Sequence, residues 1–323
     1  MNEKISVVVR CWNSGKTLRR CLDSIVNQTY DNIQLVVVDD GSTDNSIDII
    51  REYIEEGNVE IKLVRQEHKG AFFALKNGVK NATGTWLGFV DTDDCIDLDM
   101  YQAMYRTALQ YKAECVQCEN YFLDEDGGTK ENQRVKELLV FDRLQTMEHF
   151  VNGTSIVRSG LCYKLYKHSL FEDVSWIPSH LAEDIALMYQ LYHKVDVFIC
   201  LPNMYYYTSR SLNSLTRKQF VVQKYDLHDV YDRMKEFFRQ HKEYENLVQY
   251  AVNSQIGSIF YSAGEMYKVK IASQERNILI KEIKEDIKKI LSNERCSFKQ
   301  KFLLNMIYSA PWLYAIMYKL SNR

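Results

Sequence analysis

Four apolar runs, alternating with helical patterns and three of them running into polar clusters, constrain this chain more than any other feature. Ile5-Ser6-Val7-Val8-Val9 is nearly continuous in apolar character, as a strand buried on both faces is. Leu18, Cys21, Leu22 and Ile25 then recur at helical spacing. Leu35-Val36-Val37-Val38 reads as a second strand ending at Asp39-Asp40-Gly41-Ser42. A helix through Ile47, Ile50 and Ile54 follows, with Asp44 as its N-cap. Ile61 to Val64 and Trp86 to Val90 are two further strands, separated by a helix around Leu75 and Val79. Such a β-α-β-α-β-α-β series predicts an α/β fold with a mostly parallel sheet and helices on both faces. In sheets of this kind ligands bind beyond the carboxyl ends of the strands. The polar residues collect there: Trp12-Asn13, Asp39-Asp40 and Asp91-Thr92-Asp93-Asp94.

With 323 residues, 46% of them hydrophobic and 26% charged, the chain can bury a large core as one domain or two coupled lobes. A formal net charge of −2 makes no electrostatic case for a nucleic-acid partner. Eight cysteines scattered over this length predict reduced thiols in a cytoplasm rather than a disulfide scaffold. The apolar run Ile5 to Val9 is too short for a secretory signal, which points the same way. Cys115-x-x-Cys118 lacks a second pair or a histidine cluster and reads as core, and the seven histidines show no ligand spacing.

Asp91-Thr92-Asp93-Asp94 is the most informative tetrapeptide. Three carboxylates in four residues at a strand end repel one another unless a cation compensates. Hard oxygen donors of this type suit Mg²⁺ or Mn²⁺ held jointly with phosphates. The bland alternative is a solvated turn capping a helix near Asp97.

Together these segments resemble the family 2 glycosyltransferases of the GT-A, Rossmann-like fold. The match runs from Ser6-Val7-Val8-Val9 and Trp12-Asn13 through Val37-Val38-Asp39-Asp40-Gly41-Ser42-Thr43-Asp44 to Asn81-Ala82-Thr83-Gly84 and Asp91-Thr92-Asp93-Asp94. Leu22-Asp23-Ser24-Ile25 with Gln28-Thr29-Tyr30 fits the family's first helix. The likeness is dense over residues 1–100 and sparse afterwards. It implies that Trp12 stands where the family has a Tyr against the nucleotide base, and that Asp40 bonds the base edge. It puts Lys76 where an Arg usually lies near the diphosphate. Asp91 and Asp93 match the two acids that hold the ribose and the metal, with Asp94 sharing the task. Two departures bear on donor preference: Arg10 replaces a Pro at the end of the first strand, and His68 replaces an Asn before Lys69-Gly70.

The second half carries weaker echoes. Lys164-Leu165-Tyr166 followed by Glu183-Asp184 resembles the acceptor-side segment, where an acidic pair before a helix supplies the catalytic base. An inverting transfer needs a carboxylate to take the acceptor's proton. Asp184 is assigned that role, with Glu183 positioning it; helix capping by the pair is the alternative. Tyr205-Tyr206-Tyr207, Arg210 and Ser214 resemble a late motif that closes over the diphosphate.

The implied activity is an inverting transfer of a sugar from a nucleotide diphosphate-sugar, by family habit a UDP-sugar, to a hydroxyl of a glycan or lipid-linked acceptor. A non-catalytic nucleotide-sugar-binding or regulatory subunit is the first alternative, and a sugar nucleotidyltransferase the second. Residues 1–100 are expected to form the donor half, 101–220 the acceptor half and 221–323 a helical C-terminal region. In that last region Phe302 to Tyr318 is uncharged and interrupted by Pro311, with Lys299 and Lys301 before it. It reads either as a pair of interfacial helices at the inner face of the plasma membrane or as a packing element against the enzyme or a second copy.

Overall fold

The computed structural model describes residues 2–124, 127–178, 183–210, 227–268 and 271–321. The described residues up to Arg210 form one compact unit and those from Leu227 a second.

The first unit begins with four parallel strands: β1 (Ile5–Cys11), β2 (Ile33–Asp39), β3 (Glu60–Arg65) and β4 (Trp86–Asp91), in the spatial order β3-β2-β1-β4. Helices α1 (Leu18–Val26), α2 (Ser46–Glu56) and α3 (Ala71–Asn81) connect them. Every residue of β2 and all but one of β1 are buried, so these runs have no polar face to show. Each fully buried Val, Leu or Ile there contributes about 1.5–3 kcal/mol by leaving water. The register sets Arg10 opposite both Val38 and Asp91, and Cys11 opposite Asp39. The polar residues that follow each strand therefore emerge along one sheet edge. The Asn-Ala-Thr-Gly sequence serves this packing: Gly84 N donates to Ser6 Oγ at 2.8 Å, and a Cβ on Gly84 would lie 2.6 Å from Ser6 N.

Asp44 is not the N-cap of α2; Asn45 holds that position, without a side-chain bond. The Asp44 carboxylate lies one residue earlier and accepts from Ser46 N at 3.0 Å and Gly15 N at 2.9 Å, so it ties two loops together.

After β4 the sheet becomes mixed. The sequence continues through β5 (Cys95–Ile96), α4 (Met100–Tyr111), β6 (Cys115–Leu123), β7 (Thr129–Asn132), β8 (Leu139–Phe141), α5 (Arg143–Val151), β9 (Lys164–Lys167), α6 (Glu183–His193) and β10 (Phe198–Ser209). β9 lies between β4 and β6, antiparallel to both, and β6 pairs in parallel with β10. A short-range periodicity cannot reveal such an insertion, because β9 comes after β6 in the chain yet before it in the sheet. Near its end β10 pairs with β5, setting Tyr206 opposite Ile96 and Tyr207 opposite Cys95. Cys115 and Cys118 are both buried in β6, and all eight cysteines are free thiols.

The second unit is helical: α7 (Leu227–Gln240), α8 (Val248–Glu265), α9 (Ser273–Asn293), α10 (Phe298–Ser309) and α11 (Pro311–Ser321). Its core unites Ile256, Ile259, Ile283, Ile287, Leu304, Ile307 and Tyr314. Ser297 and Gln300 form a reciprocal capping box at the start of α10. Pro311 opens α11, where its missing N–H costs nothing, and so divides the C-terminal apolar segment in two. Among the described residues no helix is long and apolar enough to cross a membrane.

Candidate active site

The acidic turn lies where the end of β4 meets the end of β10. Arg10, at the end of β1, donates to Asp91 Oδ1 at 2.8 Å and to Glu183 Oε1 at 3.3 Å. One cation thus joins the acidic turn to the first residue of α6. Burial disfavours the Arg10 charge, but Asp91, Asp184 and Glu183 together overcome this and hold the guanidinium above its ordinary pKa. Cys162 Sγ lies 3.5 Å from the other Asp91 oxygen, and Arg20 donates to the Asp93 carbonyl at 2.5 Å. Burial and then the Asp91 charge push the Asp93 carboxyl up.

Asp94 departs from the role the sequence suggested. Its Oδ2 accepts from the Tyr206 hydroxyl and its Oδ1 from Ser209 N, each at 2.7 Å, and it is only 5% exposed. Burial, Asp91 and Asp93 together push its carboxyl well above the usual range. Both oxygens are taken by β10, so Asp94 braces two strand ends rather than facing a ligand. Among the described residues no three His, Cys, Asp or Glu side chains converge as a metal site. Asp91 and Asp93, two partly exposed hard-oxygen donors, fit a Mg²⁺ or Mn²⁺ ion whose remaining ligands are phosphate and water oxygens.

The loops after β1 and β2 are laced together. Asn13, in a left-handed conformation (φ 49°), accepts with its Oδ1 from Thr43 N at 2.8 Å, and its own N–H donates to Ser42 Oγ at 2.9 Å. Gly41 is required at its position: φ is +74° and a Cβ would lie 2.9 Å from His68 N. Asp40 is 3% exposed and already saturated. Its carboxylate accepts from Lys69 N (2.8 Å), Gly70 N (2.9 Å) and Gln66 Nε2 (2.6 Å), and lies 2.8 Å from His68 Nδ1. It therefore fixes the entry to α3, which the sequence did not foresee. Trp12 is 50% exposed and stacks on His68 with ring centroids 4.5 Å apart and planes 17° from parallel. This pair presents an aromatic platform at the rim, and His68 shares its construction.

Glu183 and Asp184 are the first two residues of α6, as a capping pair would be. Capping does not explain all of their geometry. Asp184 Oδ1 is buried without a hydrogen-bond partner, and Glu183 is held by Arg10. Burial raises the Asp184 carboxyl to about 7; Arg10 and Lys164 oppose this, while Glu183 and Asp91 add to it. A carboxyl poised near neutrality with one unpartnered oxygen is equipped to accept a proton. Lys164, fully buried in β9, is itself lowered to about 8, chiefly by burial.

Lys76 is an exposed residue of α3 that makes no ion pair among the described residues. Arg210 follows β10 and sets its guanidinium 4.0 Å from the centre of the Phe122 ring. Ser214 lies outside the described residues. Arg10 is the main participant that sequence reasoning left without a role. The available signal was a cation ending an apolar strand beside a strand that ends in acids.

The sequence matches the profile described as glycosyl transferase family 2 over residues 6–175, more than half of the chain. It is 32% identical over 230 residues to glycosyltransferase GlyG of Streptococcus pneumoniae serotype 4, covering 68% of this chain and 75% of that protein. It is 33% identical over 227 residues to glycosyltransferase GlyA of the same organism, covering 67% of this chain but 32% of that protein. The fold is similar to that of S. aureus TarS 1-349 solved in complex with UDP-GlcNAc, with a TM-score of 0.75, 19% identity and coverage of 99% of this chain and 91% of that one. Mannosyltransferase PcManGT from Pyrobaculum calidifontis, solved with GDP-Man and Mn2+, superposes with a TM-score of 0.56 at 16% identity, covering 100% of this chain and 88% of that one. The matched profile takes in the acidic turn and the loops after β1 and β2, and with it this chain belongs to glycosyltransferase family 2.

Proposed function

We propose that the chain transfers a sugar from a nucleotide diphosphate-sugar to a glycan hydroxyl with inversion at the anomeric carbon. The observation that carries this reading is the Arg10 bridge between Asp91 and Glu183, beside an Asp184 oxygen that has no partner. Asp184 accepts the acceptor's proton, the hydroxyl oxygen bonds to the anomeric carbon, and the bond to the diphosphate breaks on the opposite face. Its electron pair leaves with the diphosphate. Asp91 and Asp93 would hold a Mg²⁺ or Mn²⁺ ion, which when bound supplies positive charge to the leaving diphosphate. Trp12 lies against the nucleotide base, on a platform completed by His68, with Asp40 holding the loop behind it. Lys76 and Arg210 supply positive charge toward the diphosphate, and the sequence resemblance gives Ser214 a place beside them in the same motif. A uridine donor is favoured by the sequence resemblance and by the UDP-sugar in the TarS complex.

A panel of UDP-, dTDP- and GDP-sugars incubated with the enzyme and Mn²⁺ tests this reading. Release of free UDP from one or more UDP-sugars is the expected result. No turnover or binding of any member would refute the donor assignment, and binding without turnover would favour a non-catalytic subunit.

The acceptor is a surface polysaccharide or lipid-linked glycan at the inner face of the membrane, and the helical unit supplies attachment. Phe298 (89%), Leu320 (65%) and Trp312 (56%) are strongly exposed, while Lys299, Lys301 and Lys319 beside them are exposed cations. Leu304, Ile307 and Tyr314 of the same helices are core, so deleting the segment would unfold the unit. A Phe298→Ser/Trp312→Ser/Leu320→Ser variant spares that core. It should lose flotation with anionic vesicles that the parent chain shows at low salt. Equal flotation of both, or none by the parent, would make the segment a packing or assembly element.

A further inference from the structure

A cavity of about 350 Å³ opens in the first unit, lined among others by Asn120, Phe122, Asn132, Arg158, Tyr163 and Thr208. Its polar wall is built in advance. Arg158 forms a buried ion pair with Glu119 and also donates to Asn120 Oδ1. Asn132 Nδ2 donates to Asn120 Oδ1 and Asn120 Nδ2 to Thr208 Oγ1, each at 2.9 Å. Arg158 is 7% exposed and Glu119 fully buried, yet Arg158 Nε and Glu119 Oε1 have no hydrogen-bond partner. A buried ion pair does little for stability compared with a well-packed apolar pair, so its presence on a cavity wall points toward a ligand. Glu119 neutralises Arg158, the buried cation of the wall; Arg134, the second cation of the lining, is exposed and donates to the Ser155 carbonyl. What the cavity offers is amides and a hydroxyl together with the rings of Phe122 and Tyr163; Arg210 lies over the Phe122 ring, and Arg158 and Lys164 over the Tyr163 ring. That combination suits a polyhydroxylated ring, whose hydroxyls pair with amides while its C–H face lies on an aromatic one.

The cavity is also one side chain removed from the chemistry. The Tyr163 ring meets the edge of Tyr206 at 5.5 Å, and the Tyr206 hydroxyl donates to Asp94. Cys162, the neighbour of Tyr163, touches Asp91, and Tyr192 of α6 donates to the Arg158 carbonyl at 2.6 Å. We propose that this cavity is an acceptor subsite holding a neutral pyranose next to the sugar that carries the attacking hydroxyl. The proposal rests on the glycosyl-transfer reading.

Saturation-transfer NMR with methyl glycosides of glucose, galactose and N-acetylglucosamine, and with glycerol phosphate as the anionic probe, tests it on the full chain. Transfer to at least one glycoside is expected, and loss of that transfer in Ser159→Trp, where an exposed lining residue becomes a ring over the mouth. Asn132→Leu, which removes one amide from the wall, is the second variant, and thermal melts establish that both fold. No transfer to any glycoside, transfer that survives both substitutions, or transfer to glycerol phosphate alone would overturn the proposal. Donor hydrolysis by the parent chain is read separately. Glycoside binding without it would leave the cavity a sugar site and sink the transferase reading, whereas hydrolysis without glycoside binding would do the reverse.

Discussion

Chelation of divalent cations with EDTA is expected to abolish transfer, and added Mn²⁺ or Mg²⁺ to restore it. Asp93→Asn should lower kcat by about 10²–10³ or more, the usual cost of removing a charge-stabilising contact at a departing group. The same variant should lose the cation-dependent part of donor binding in calorimetry. Asp94→Asn is the informative contrast. Its carboxyl is bonded to Tyr206 and Ser209, so its loss should leave the cation requirement in place. Full activity in EDTA would refute the metal assignment. A cation requirement lost in Asp94→Asn but kept in Asp93→Asn would exchange the two roles.

Asp184→Asn is expected to lower kcat by about 10²–10⁴ with donor binding nearly intact. The pH dependence supplies an independent check. Asp184 must be ionised to act, so kcat/KM should rise with pH through about 7, and this limb should vanish in Asp184→Asn. Arg10 favours the ionised form, so Arg10→Met should move the limb to higher pH. Stability follows the opposite sign. The folded carboxyl titrates above its unfolded value of about 3.9, so ionising it costs the native state progressively as pH rises from about 4 to about 7. Asp184→Asn should therefore raise Tm, and by more near pH 8 than near pH 5. A variant that keeps its kcat would transfer the role first to Glu183. A flat parent pH profile around 7 would remove Asp184 from proton transfer altogether.

The parallel block β3-β2-β1-β4 was legible because each strand is local, buried on both faces and followed by a helix with a clear period. The second block was not, since β9 and the β10–β5 pairing join residues more than forty positions apart through no local pattern. Among the site residues the same division holds. Asp91, Asp93, Glu183 and Asp184 stood out by residue type at strand and helix ends. Lys76 is an exposed residue of α3, and its place near the diphosphate comes from the resemblance alone.

What the sequence determined by itself is the fold of the first hundred residues, the family and the edge at which the chemistry sits. Apolar periodicity and clustered carboxylates suffice for that, because they act over a few residues. Tertiary structure alone decided which carboxylates are open and which are spent. Asp40 and Asp94 look no different from Asp93 in the sequence, yet backbone amides of Lys69, Gly70 and Ser209 take up their oxygens. It alone brought Arg10 between Asp91 and Glu183, across 173 residues of chain, because hydrogen-bond saturation and charge pairing depend on which strand ends meet.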